Sequence, residues 1–161
     1  MVIIMAFHEH ERVLWRVLFD FGEYGSFTAV LGFVYYERPL SATVMKSSVV
    51  KKIIASLPIA SESLVLDDVE LLVKLPTRFK QTIYKRDHII KRGDIVYRPH
   101  IPSISVFARS FETYEPVERI GLVRKDSLEK LAEIIEKIKS KASVYVEIRR
   151  YEAKEAREEE E

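Results

Sequence analysis

Residues 12–21 read RVLWRVLFDF and residues 26–36 read SFTAVLGFVYY, two runs dense in β-branched and aromatic side chains with Gly22 and Gly25 between them. Such runs suit a pleated, half-buried surface, and glycine supplies the backbone freedom of a tight turn, so the pair reads as an opening β-hairpin. In the first run Val13, Trp15, Val17 and Phe19 alternate with Leu14, Arg16, Leu18 and Asp20. Successive side chains of a strand point to opposite faces, so one face is wholly apolar and the other mixed, the mark of a sheet with a core on one side.

Outward from this hairpin the chain keeps alternating between short strands and turn signals. Pro39 breaks the strand pattern, and beyond it Val44, Ser48, Ile53 and Leu57 fall near one helical stripe, with Ser41 placed as N-cap and Pro58 as the stop. Residues 63–74, SLVLDDVELLVK, read as a second hairpin around Asp67 and Asp68. Arg92-Gly93-Asp94 is a turn leading into Ile95-Val96-Tyr97, and Pro99 and Pro102 bracket a loop before the buried-type run Ile104-Ser105-Val106-Phe107. Lys125-Asp126-Ser127 opens the clearest helix, with Leu128, Leu131, Ile135 and Ile138 on one face. Val144, Val146 and Ile148 then alternate with Tyr145, Glu147 and Arg149 in a closing strand. Many short strands and two helices argue for a mainly β fold, a closed or nearly closed β-barrel with the helices capping it.

A chain of 161 residues suits one domain with a sizeable core. Its parts read as an N-terminal extension over residues 1–11, a barrel domain over 12–152 and an acidic tail over 153–161 that frays into solvent. The chain has no cysteine, which excludes disulfides, thiolate metal sites and thiol nucleophiles and fits a reducing compartment. The apolar residues 1–7 run straight into His8, Glu9, His10 and Glu11 and are far short of the roughly 20 residues a membrane span needs, so they read as neither signal nor anchor. The expected location is the cytoplasm, with no membrane partner. High charge, no cysteine and few glycines together resemble a thermophile's composition. The net charge is +1, but the last ten residues carry −4 and leave the remainder at +5.

The order of these elements and several short strings resemble the cyclophilin-like superfamily, and within it a small family of minimal prokaryotic cyclophilin-like proteins. Residues 12–21 and 26–36 are similar to the first cyclophilin hairpin, and Glu37-Arg38-Pro39-Leu40-Ser41-Ala42-Thr43 to the Pro-Lys-Thr stretch that opens the family's first helix. Ser105-Val106-Phe107-Ala108 resembles the buried Gln-Phe-Phe strand and Ile120-Gly121-Leu122-Val123 the Phe-Gly-Lys-Val string. In the minimal family a Gly-Asp-Val-Gly-Tyr-Trp-Pro-Pro signature corresponds here to Gly93-Asp94-Ile95-Val96-Tyr97-Arg98-Pro99-His100, and Tyr-Phe-x-Thr-Pro-Val to Leu72-Val73-Lys74-Leu75-Pro76-Thr77. The resemblance implies a cyclophilin-like barrel. Of the isomerases' Phe-His-Arg and Phe-x-x-Gln-x-Gly-Asp signature only Gly93-Asp94 is present, Val117 or Glu118 stands near the place of the late pocket His, and Phe107 alone matches a pocket-wall aromatic. The fold is therefore expected without the usual isomerase groups.

Residues 74–98 hold eight basic side chains against Asp87 and Asp94, with Phe79, Tyr84 and Tyr97 interleaved. Lys80, Lys85, Arg86, Lys91 and Arg92 would be the contacts if this stretch met single-stranded nucleic acid, although a solvated charged face is the plainer reading. His8 and His10 have the spacing of a metal pair but no visible third ligand, so no metal is expected. Glycine-rich phosphate loops and Gly-x-Ser-x-Gly elbows are absent from the sequence, and no cofactor is expected. His100, in a barrel-mouth loop, could act as acid, base or donor. Arg109, after the buried-type Phe107-Ala108, could hold a carboxylate or phosphate. The leading expectation is a non-enzymatic or weakly catalytic domain that binds a small anionic ligand or peptide. Its cleft would be formed by Arg78, Tyr97, His100, Phe107 and Arg109. A prolyl isomerase with a rearranged pocket, a nucleic-acid-associated module and a homo-oligomer-forming role stay open beside it.

Overall fold

The computed structural model describes residues 13–33, 48–79 and 87–151. The expected N-cap Ser41, the histidines His8 and His10, the basic residues Lys80, Lys85 and Arg86 and the acidic tail lie outside the described residues.

The opening hairpin forms as its alternation requires. Strands β1 (Val13–Asp20) and β2 (Ser26–Phe33) pair from Val13 with Phe33 to Asp20 with Ser26. Val17 and Phe19 of β1 and Phe27, Ala29 and Leu31 of β2 are buried in the core, and the rings of Phe19 and Phe27 stack with centroids 4.8 Å apart. Helix α1 (Ser48–Ser56) follows and ends two residues before Pro58, with Val49, Val50, Ile53 and Ile54 buried; of the expected stripe Ile53 is buried and Leu57 packs partly buried against the core, while Val44 and the side chain of Ser48 lie outside the described residues.

Strands β3 (Ile59–Leu66) and β4 (Glu70–Lys74) make the second hairpin. Asp67 and Asp68 turn it with φ of 52° and 57°, a left-handed backbone that the short polar Asp side chain tolerates. Strand β5 (Asp87–Ile90), strand β6 (Asp94–Arg98), strand β7 (Ser103–Phe107) and the long β8 (Phe111–Val123) come next. A 3-10 turn, Lys125–Ser127, leads into helix α2 (Leu128–Ile138), and β9 (Val144–Arg150) is the last described strand.

The antiparallel strand order β2-β1-β9-β3-β4-β7-β6-β8 returns to β2 through the β2–β8 pairing, so eight strands close a barrel and leave no open edge between them. The closure depends on Gly121. It sits opposite Leu31, and a Cβ there would overlap the Val30 carbonyl oxygen and press on Leu31. Just before it Ile95 pairs with Gly121 and Val96 with Arg119, which leaves Ile120 as an extra, bulged residue whose side chain is fully buried in the core. Strand β8 serves two pairings: residues 121–123 close the barrel against β2, and residues 111–117 pair with β5.

Inside the barrel, Ile95 and Tyr97 of β6, Ile104 and Val106 of β7 and Leu71 and Val73 of β4 join the β1–β2 aromatics in one core. Helix α2 covers the end bearing the β1–β2 turn and adds Leu131, Ile134, Ile135 and Ile138. A second, small apolar cluster of Ile90, Val96, Phe107 and Val117, with Phe111 against it, lies on the outer face under the β5–β8 ribbon. No helix among the described residues is long and apolar enough to cross a membrane.

Candidate functional site

Outward-facing positions of β4, β7 and β6 would be solvent-exposed in a simple barrel, yet here they hold a buried polar cluster. Register places Glu70 opposite Phe107 and Ser103 opposite both Lys74 and Arg98, while Ser105 lies between Leu72 and Val96. Glu70 accepts two charge-assisted hydrogen bonds from Arg98, Nε to Oε2 at 2.8 Å and Nη2 to Oε1 at 2.9 Å, and a third from the Ser105 hydroxyl. Arg98 Nε also reaches Ser105 Oγ at 3.2 Å. The side chain of Glu70 is 4% exposed and that of Arg98 22%. A carboxylate this buried needs a cation and hydrogen bonds to stay charged, and the planar guanidinium meets it in fork geometry. Among the described residues Arg98 Nη1 has no hydrogen-bond partner, and the side chain keeps part of its surface open to solvent.

Beside this cluster on β6, Asp94 accepts the Lys91 backbone N–H at 2.8 Å and pairs with Arg119 Nη2 at 2.9 Å. Gly93, at φ 88°, makes the turn between them. The Gly-Asp pair that the isomerase resemblance supplied therefore has structural work in this chain.

The five residues grouped by sequence do not line one cleft. Tyr97 points into the barrel, fully buried, and its hydroxyl bonds to the backbone of Phe79, accepting from N–H at 3.2 Å and donating to C=O at 3.3 Å. Phe107 points the other way, into the outer cluster, where the ring of Phe111 covers it at 5.7 Å. Neighbouring strands put these two rings on opposite faces of the sheet, so they share no wall. Arg78 and His100 are together: Arg78 Nη2 donates to the His100 carbonyl at 3.1 Å, and Leu75 N–H to the Pro102 carbonyl at 2.9 Å holds the two segments side by side. Both side chains are exposed, in the loop that directly follows Arg98. Arg109 stands beyond the far end of β7, where Ala108 N–H bonds the Val69 carbonyl at 2.9 Å, five strand residues away from the Arg78–His100 contact.

The basic stretch of residues 74–98 is also divided. Lys74 faces Glu62 at 3.8 Å, Arg98 is held by Glu70, and Lys91 and Arg92 are exposed at the turn before β6. Sequence reasoning counted Arg98 only as one basic residue among eight and passed over Glu70. The available signal was the charge of Glu70 at an outward position opposite a buried-type strand, which asks for a partner.

The closed eight-stranded barrel, with two α-helices among the described residues, defines a cyclophilin-type β-barrel protein. The chain belongs to the cyclophilin-like family, whose model matches residues 34–147. No curated protein matches the sequence. Among solved structures, McbB in complex with tryptophan is similar with a TM-score of 0.62 at 17% identity, over 83% of this chain and 44% of McbB. The hypothetical protein AF2241 from Archaeoglobus fulgidus is similar with a TM-score of 0.58 at 19% identity, over 89% of this chain and 100% of that one. This chain thus spans less than half of McbB, and at these identities both likenesses are of fold.

Proposed function

We propose that the protein binds a small anionic ligand or a peptide carboxylate at the end of β6, where Arg98 leads into the loop whose His100 carbonyl accepts a hydrogen bond from Arg78. The observation that carries this reading is the pinned guanidinium of Arg98. Glu70 and Ser105 occupy its Nε and one edge of Nη2, leaving Nη1 for an outside acceptor. A donor held in place before binding loses little freedom on binding, which favours affinity. Arg78, tethered through one N–H to the His100 carbonyl, supplies a second guanidinium, and Ile101 in the same loop offers exposed apolar surface. Together these suit a ligand with one carboxylate and an apolar body. Tryptophan, found with the fold neighbour McbB, is one molecule of that chemistry.

The test is titration of the protein with N-acetylated amino acids, free tryptophan and short peptides, followed by calorimetry and by amide chemical shifts. Arg78→Ala and Arg98→Lys are each expected to weaken a bound carboxylate about tenfold, the loss of one charge-assisted bond. Absence of binding across the panel, or unchanged affinity in both variants, rejects the site.

A further inference from the structure

At the opposite end of β6, the start of β2 and the turn before α2 enclose a recess of about 200 Å³, whose polar lining includes Ser26, Thr28, Ser127 and Lys130. Thr28 and Ser127 are buried, 2% and 5% exposed, and their hydroxyls meet at 2.9 Å. Ser127 Oγ also accepts the Thr28 N–H at 3.2 Å. One O–H···O contact uses one hydroxyl proton, and neither side chain has any other hydrogen-bond partner among the described residues. Whichever residue donates, one buried hydroxyl proton is left over beside the recess. A buried donor without an acceptor costs about 1–3 kcal/mol, so the arrangement calls for an acceptor in that space.

We propose that the recess is a binding site for a small oxyanion, phosphate or carboxylate. The spare Thr28/Ser127 proton donates to it from the floor, Ser26 can add a second hydroxyl, and the exposed Lys130 ammonium supplies the charge at the rim. Asp126, also on the rim, is held by Arg124 at 3.2 Å, which takes up its charge. A single water needs about 10–15 Å³ of such space, so the recess has room for an oxyanion together with hydrating water. The site is independent of the one at Arg98, and either can fail without the other.

The proton count sets an unusual test. Thr28→Val leaves Ser127 with a free O–H, and Ser127→Ala leaves Thr28 with one, so each single variant keeps a donor and is expected to bind within about threefold of wild type. The double variant has none and is expected to lose binding. Inorganic phosphate and acetate are titrated separately, with the amide shifts of Thr28, Ser127 and Lys130 as readout; Lys130→Gln, an exposed change that leaves the fold alone, is expected to weaken binding about tenfold. Saturation by phosphate alone marks a phosphoryl site, and by both anions a general oxyanion site, either of which supports the proposal. No saturable shift, a double variant that binds as wild type, or loss of binding in one single variant while it stays folded overturns it.

Discussion

Arg98 and Glu70 lie 28 residues apart on strands that do not pair with each other, and they join across β7 through two hydrogen bonds of 2.8 and 2.9 Å with Ser105 of that middle strand as third member. The pair is on the outside of the barrel, yet the carboxylate is almost fully buried. Removing one partner of such a pair is costlier than removing both, because the survivor is stranded away from water. Arg98→Met is therefore expected to destabilise the fold by about 3 kcal/mol, toward the low end of the range for buried pairs because Arg98 is partly exposed. The double variant Glu70→Gln with Arg98→Met should recover about half of that loss. Urea unfolding of the wild type, Glu70→Gln, Arg98→Met and the double variant checks this, and additive losses would mean that the two groups do not interact energetically.

The division of the arginines between the two ends of β7 separates their roles. Arg78 contacts the loop after Arg98, whereas Arg109 stands beside the β3–β4 turn. In the titrations that test the β6 site, Arg109→Ala is expected to change affinity less than twofold, while Arg78→Ala costs about tenfold. Equal losses in the two variants would contradict the placement of the site.

Barrel closure rests on close approach of β8 to β2 at Gly121. Gly121→Ala introduces a methyl group against the Val30 carbonyl oxygen and Leu31 Cα, backbone atoms that cannot swing aside because they belong to a paired strand. The expected cost is about 2–3 kcal/mol, that of overpacking a core, measured by denaturant midpoint. A neutral substitution would show that the seam has room.

Core aromatics carry the hairpin that opens the chain. Phe27 is 1% exposed and stacks on Phe19 at 4.8 Å and Phe21 at 5.9 Å. Phe27→Ala is expected to destabilise by about 3–5 kcal/mol. Leu122→Ala, at a residue 53% exposed on the outer face of β8, should cost less than about 0.5 kcal/mol in the same assay.

Prolyl cis/trans isomerisation of short peptides is expected to proceed at the uncatalysed rate in the presence of the protein. The aromatic matched to the isomerase pocket wall, Phe107, is buried under Phe111, and Asp94 is engaged with Lys91 and Arg119. Acceleration that disappears in Arg98→Lys or Arg78→Ala would instead establish isomerase chemistry with a substituted arginine.

Much of the barrel was legible in the order of residues, because strand and helix periodicity are local properties. Val17 and Phe19 against Arg16 and Asp20, and Val144, Val146 and Ile148 against Tyr145, declare which side of each strand meets a core, and the structure buries those sides. The turns at Asp67-Asp68 and Gly93 were equally local, since they follow from what one or two residues can do with φ. Less was visible where a segment owes its form to its neighbours. Strand β5 and the first half of β8 have no clean alternation, and they exist because each supplies the other's hydrogen bonds over a shared apolar patch.

The functional candidates depended on tertiary structure throughout. Sequence could nominate Arg78, His100 and Arg109 as polar groups near a barrel mouth, and adjacency of the first two follows from two segments running side by side. Which face Tyr97 and Phe107 occupy is set by strand register, where a shift of one residue reverses every side chain. The Glu70–Arg98 clamp and the Thr28–Ser127 hydroxyl pair join residues 28 and 99 positions apart. Composition and periodicity record what each residue is; the energy of a buried charge or a spare proton depends on what lies within hydrogen-bonding distance, which only the closed barrel decides.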